Sequence, residues 1–111
     1  MLTQRRHHEK MTLEDLLDSP IAYQRVFVYF AGVTGAVFFS QAIYWSKRTK
    51  DRWFYKTQKE WEFETGLSRK EQESARRKLK KVGFLKEKTT YNPHQVHFFV
   101  DWVKMKKVLE R

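Results

Sequence analysis

The chain has 111 residues and a mass of 13.6 kDa, enough for one domain and too little for separate cofactor and substrate domains. It carries 23 Lys and Arg against 13 Asp and Glu, for a formal charge of +10, and it has no cysteine, which excludes disulfides, thiolate catalysis and Cys-based zinc sites. With 41% hydrophobic and 16% aromatic residues it can bury a core, so disorder along the whole chain is excluded, and the cationic excess points to a polyanionic partner.

Residues 1–11 read as a flexible basic and polar tail, followed by a single domain over 12–111. Thr12 to Asp15 form a capping-box-like start to an extra N-terminal helix through Leu17, and Asp18-Ser19-Pro20 breaks it. From Val26 to Trp45 there is no charge, a length that would suit a membrane span of about 20 residues. Gly32, Gly35 and Thr34 interrupt that run, and Ser40 and Gln41 follow. The more economical reading is a pair of helices, 21–31 and 34–47, meeting at Gly32, with no membrane involved. The second is apolar nearly all round, which places it in the centre of a fold or in an oligomer interface; residues 21–45 are the expected homodimer surface.

Lys50-Asp51-Arg52 is a turn and Trp53-Phe54-Tyr55 a short aromatic strand. Thr57 and Glu60 form a capping box that opens a helix to about Thr65, with Trp61 inward. Gly66-Leu67 makes a tight turn. Ser68 and Glu71 form another capping box, opening a long helix that ends at Val82 before Gly83. Phe84–Lys88 and Gln95–Trp102 read as paired strands, with turn chemistry from Thr89 to His94 between them, and Val103–Arg111 reads as a short basic helix. The order predicts an α+β fold, a winged helix-turn-helix: the helix-turn-helix at 57–82, the wing hairpin at 84–102, a small antiparallel sheet, and a short C-terminal helix.

The charge is concentrated where this arrangement would use it. Residues 46–59 hold Lys47, Arg48, Lys50, Arg52, Lys56 and Lys59 against Asp51 alone, and 68–88 hold nine basic groups against Glu71, Glu73 and Glu87. Projected at about 100° per residue, the long helix turns Ala75, Leu79 and Val82 inward and Arg69, Lys70, Glu73, Arg77, Lys80 and Lys81 outward. Ser68, Arg69, Lys70, Gln72, Glu73 and Arg76 are therefore the expected base-reading residues: Arg pairs with guanine and Gln with adenine. Lys56, Thr57, Lys59, Arg77, Lys80, Lys81, Lys86 and Lys88 are the expected phosphate contacts, and Thr89, Thr90 and His94 the tip of the wing. The competing reading of the long helix is an ordinary solvated face with pairs such as Glu73–Arg77.

No metal site, cofactor, small-molecule ligand or catalytic group is expected. His94 and His97 are the sole clustered histidines after the tail, with no neighbouring carboxylate. The aromatic residues Trp45, Trp53, Phe54, Trp61, Phe84, Phe98 and Trp102 read as core, with a stacking platform for single-stranded nucleic acid as the sharper alternative.

The segments Ser40–Ser46, Trp53–Thr57, Thr65–Arg69 and Ala75–Leu79 together resemble the winged-helix segment of phage and plasmid replication or regulatory proteins, over roughly residues 33–102. The resemblance implies duplex DNA binding in replication or transcription control, in the cytoplasm or nucleoid of a bacterial host. The rival expectation is a protein-interaction module, a homodimer or adaptor that uses the same scaffold on a protein partner.

Overall fold

The structure, a computed structural model, describes residues 23–110. The expected tail at 1–11 and the short helix at 12–17 lie outside the described residues. Those described form four helices and one three-stranded antiparallel sheet, an α+β arrangement: α1 (Val26–Ser46), β1 (Trp53–Tyr55), α2 (Gln58–Thr65), α3 (Arg69–Val82), β2 (Leu85–Thr90), β3 (Gln95–Val100) and α4 (Trp102–Leu109).

The kink in α1 falls at Gly32, with φ 75° and ψ 176°, a conformation closed to ordinary side chains. The uncharged run is thus two helical pieces, as the glycine implied, but the first begins at Val26 and not at 21, since residues 23–25 are not helical. By length and composition α1 is apolar enough to cross a bilayer, with a mean hydropathy of 1.7. Its second piece is instead the central rod of the core, for Ala36, Phe38, Phe39 and Ala42 are all fully buried. Phe38 stacks on Trp61 of α2 with ring centroids 3.9 Å apart and meets Phe98 of β3 edge-on. Phe39 faces the other way, onto Phe27 and Phe84. A helix sandwiched from two sides has no polar face to spare, which explains a sequence apolar nearly all round.

In the sheet β3 lies between β1 and β2. The register pairs Phe54 with Phe98 and Phe98 with Glu87, so these share the face turned to the core. Trp53, Phe99 and Lys86 form a row on the opposite face, and Tyr55, His97 and Lys88 form the next. The strands differ from expectation at their ends. β2 continues to Thr90, because Thr89 and Thr90 pair with Val96 and Gln95. β3 stops at Val100, and Asp101 then caps α4 by accepting from the Lys104 N–H at 2.9 Å.

The aromatic residues divide in the same way. Phe54, Trp61, Phe84 and Phe98 are buried, whereas Trp45, Trp53 and Trp102 are only half-buried.

Candidate nucleic-acid interface

Local hydrogen bonds define where α2 stops and α3 starts. Gly66 ends α2 in the left-handed conformation, φ 77°, and donates its N–H to the Glu62 carbonyl at 2.8 Å. Leu67, 7% exposed, belongs to the buried core at this turn. Ser68 then accepts from the Glu71 N–H at 3.2 Å, while the Glu71 carboxylate accepts from the Ser68 N–H at 2.8 Å.

Gln72 completes this joint from inside, and this corrects its assignment to base reading. Its side chain is 1% exposed, and its amide nitrogen donates to the Gln58 carbonyl at 3.1 Å and the Leu67 carbonyl at 3.0 Å. Helical spacing from Ala75 and Leu79 puts Gln72 on the inner face with them. It ties the first turn of α3 to the start of α2 and presents nothing to solvent.

The opposite face of α3 is exposed at Ser68, Arg69, Lys70, Glu73, Arg77, Lys80 and Lys81. Arg69 and Glu73 form a surface pair at 3.3 Å, worth about 0.5 kcal/mol or less in solvent and easily exchanged for another partner. A shallow depression of about 600 Å³ lies along this face, lined by Glu73, Arg76, Arg77, Lys80 and Lys81.

Arg76, expected to read bases, is engaged elsewhere, and this is a second correction. Its Nε and Nη2 donate to Glu87 at 2.7 and 2.9 Å, and Lys80 reaches the same carboxylate at 3.2 Å. Arg76 is 27% and Glu87 11% exposed. Hydrogen bonding to Glu87 raises the Arg76 pKa further above its ordinary value against the effect of burial. Burial by itself would raise the Glu87 carboxyl, but the hydrogen bonds and charges of Arg76 and then Lys80 hold it below the usual carboxylate range. The group therefore ties α3 to β2, and Arg76 acts as a positioning residue. Lys80 stays 46% exposed and keeps access to solvent on its outer side.

Lys56 is the third correction. It is 6% exposed, pairs with Glu64 at 2.7 Å and lies 4.1 Å over the Trp45 ring, so no phosphate can reach it. Glu64 also accepts from the Gln41 amide at 2.9 Å and the Trp45 indole at 2.8 Å, which joins α1, α2 and the residue after β1. Thr57 has its hydroxyl accepting from the Glu60 N–H at 3.1 Å and its own N–H donated to Glu60 at 2.9 Å. Lys59, in the first turn of α2, is exposed.

Lys86 and Lys88 project from the face of the sheet away from Glu87 and α3, so the structure does not bring them to the α3 surface. Lys86 pairs with Asp101 at 3.3 Å; Lys88 lies 4.4 Å over the Trp53 ring. The hydrogen bond from the Lys104 N–H lowers the Asp101 pKa; burial opposes it, and the hydrogen bond and charge of Lys86 add to the lowering. Thr89 and Thr90 are exposed strand residues; the tip itself is Tyr91–His94, where Tyr91 is 72% exposed and 5.7 Å from the His94 ring. His97 stands apart from it, beside Tyr55. Among the described residues there is no group of three or more His, Cys, Asp or Glu placed to hold a metal.

The sequence reading missed the acidic anchors. Glu87 was legible: it stands two residues beyond buried Leu85 in the same strand, and so belongs to the core face. Glu64 follows Trp61 by three residues and shares its inner side. No family model, no curated protein and no solved structure matches the chain.

Proposed function

We propose that the chain is a duplex DNA-binding protein of winged-helix architecture, in which α3 enters the major groove and the β2–β3 hairpin is the wing. Arg69, Lys70 and Glu73, on the leading half of α3, reach base edges; Arg77, Lys80 and Lys81 hold phosphates, joined by Lys59 at the N-terminus of α2. The tip residues Tyr91 and His94 extend the contact along the backbone. The carrying observation is the exposed cationic face of α3 on a helix whose backbone is fixed from behind by Gln72 and Arg76, so that the orientation of this face on the domain is set.

The process we propose for it is replication or transcription control in the cytoplasm of a bacterial host, an expectation that comes from the sequence segments alone. The reading uses no cofactor and no catalytic step. Titration against duplexes of random sequence at several salt concentrations tests it. With about six phosphates neutralised, log affinity falls against log salt with a slope near −5. A slope near zero refutes duplex binding through this face. Selection of bound duplexes from a random pool then separates the roles: a consensus supports a regulator or origin binder, and recovery without one supports architectural binding.

A second reading is favoured by one feature. Tyr23, Val26 and Tyr29 are exposed along the first piece of α1 and its approach, Tyr29 to 86%, and Val33 is exposed just past the kink. That surface fits a homodimer, which sedimentation would detect, and a dimer would place two half-sites about one helical turn apart on the duplex.

A further inference from the structure

The face of the sheet turned away from the core carries a surface that the duplex reading does not use. Strand register arranges it in two rows: Trp53 beside Phe99, with Lys86 next to them, and Tyr55 beside His97, with Lys88 next to them. The Trp53 and Phe99 rings have centroids 5.1 Å apart and are inclined by 31°; those of Tyr55 and His97 are 5.6 Å apart and inclined by 40°. Tyr55 is 42% exposed and the other three rings are half-buried. The core helices reach the sheet from its other side, through Phe38 and Trp61 on Phe98 and through Arg76 on Glu87. An aromatic row on the solvent side of a sheet is costly to leave wet, and core packing gives no reason for it.

We propose that this face binds single-stranded nucleic acid, stacking unpaired bases on the Trp53–Phe99 and Tyr55–His97 rows while Lys86 and Lys88 hold its phosphates. Two features select this occupant over an apolar protein surface. Lys88 Nζ lies 4.4 Å over the Trp53 ring and Lys86 Nζ 5.9 Å from the Phe99 centroid, while register sets Lys88 beside His97, so positive charge lies on the aromatic surface itself, and a base stacking on Trp53 displaces Lys88 toward its phosphate. Asp101 offsets Lys86 in part, at 3.3 Å, leaving Lys88 as the stronger attraction for phosphate. The rows are two residues apart along each strand, about 7 Å, a step comparable with that between adjacent bases in an extended single strand. A duplex cannot use the platform, because paired and stacked bases present no open ring face. The site lies on the side of the sheet opposite α3 and stands independently of the duplex reading.

The test uses the full chain and a fluorescently labelled oligo-dT of about 15 nucleotides, with binding followed by anisotropy. Trp53→Ala and Tyr55→Ala are each expected to weaken oligo-dT binding about ten-fold, and Lys88→Glu by a similar factor, with duplex affinity unchanged within about two-fold. Arg77→Glu with Lys81→Glu should do the reverse. Tyr55 and Lys88 are exposed, so their variants keep the test valid if Trp53→Ala disturbs folding, as judged by circular dichroism. Failure of the wild-type chain to bind oligo-dT would overturn the proposal, as would wild-type affinity in the Tyr55 and Lys88 variants. Loss of self-association in sedimentation, with oligo-dT binding intact, would assign the face to a second copy of the chain instead. Failure of the wild-type chain to bind duplex while it still binds oligo-dT would refute the α3 reading and leave this one standing.

Discussion

Replacing Glu87 by Gln isolates the tie between α3 and the hairpin while nearly preserving shape. The carboxylate receives two hydrogen bonds from Arg76, at 2.7 and 2.9 Å, and one from Lys80 at 3.2 Å. A hydrogen bond to a charged group contributes about 1.5–3 kcal/mol when sheltered from water. The Lys80 contact is exposed and contributes little. The two Arg76 bonds share one carboxylate, and the freed guanidinium, already 27% exposed, regains some water. The whole substitution is therefore expected to cost about 2 kcal/mol, a fall in melting temperature of roughly 10 °C for a domain of this size. The pH dependence identifies the cause. The folded Glu87 carboxyl lies below its ordinary 4.5, so its stabilisation is complete above that value and is lost as pH falls through the lower, folded value. Urea unfolding followed by tryptophan fluorescence should show the full gap between wild type and Glu87→Gln at about pH 7 and a much smaller one at about pH 2. A gap under about 0.5 kcal/mol at neutral pH, or one equal at both pH values, would refute the tie.

Other substitutions separate scaffold from contact surface. Gln72→Ala removes the donor to the Gln58 and Leu67 carbonyls and leaves a small void, so urea unfolding should show a loss of about 2 kcal/mol. At Gly66 nothing lies within 4 Å of an added Cβ, and Gly66→Ala should cost about 1 kcal/mol by the left-handed backbone alone, again read from urea midpoints. Arg77→Ala and Lys81→Ala should each weaken binding to every duplex and reduce the steepness of the salt dependence by about 1; Arg69→Ala should alter the preference between sequences in a selection experiment. Equal effects from the two classes would show that the division of roles along α3 is wrong.

Element order and most element ends were legible because their signals are local. Thr57 with Glu60 and Ser68 with Glu71 close hydrogen bonds three residues apart, and Gly66 and Gly83 stop helices within their own turn. Strand β2 ran past its expected end because the ladder to β3, a partner across the hairpin, carried Thr89 and Thr90 with it.

The amino-acid order alone determined the four described helices, the kink at Gly32, the three strands and the concentration of positive charge along 68–88. Tertiary packing decided which of those charges face solvent. Arg76 and Glu87 are 11 residues apart, Lys56 and Glu64 are 8, and Gln72 and Gln58 are 14, and each pair joins two separate segments that meet only in the tertiary fold. The physical reason is range: a cap or a left-handed turn is settled by neighbours within a few bonds, whereas the partner of a long polar side chain depends on where distant backbone brings the opposite charge.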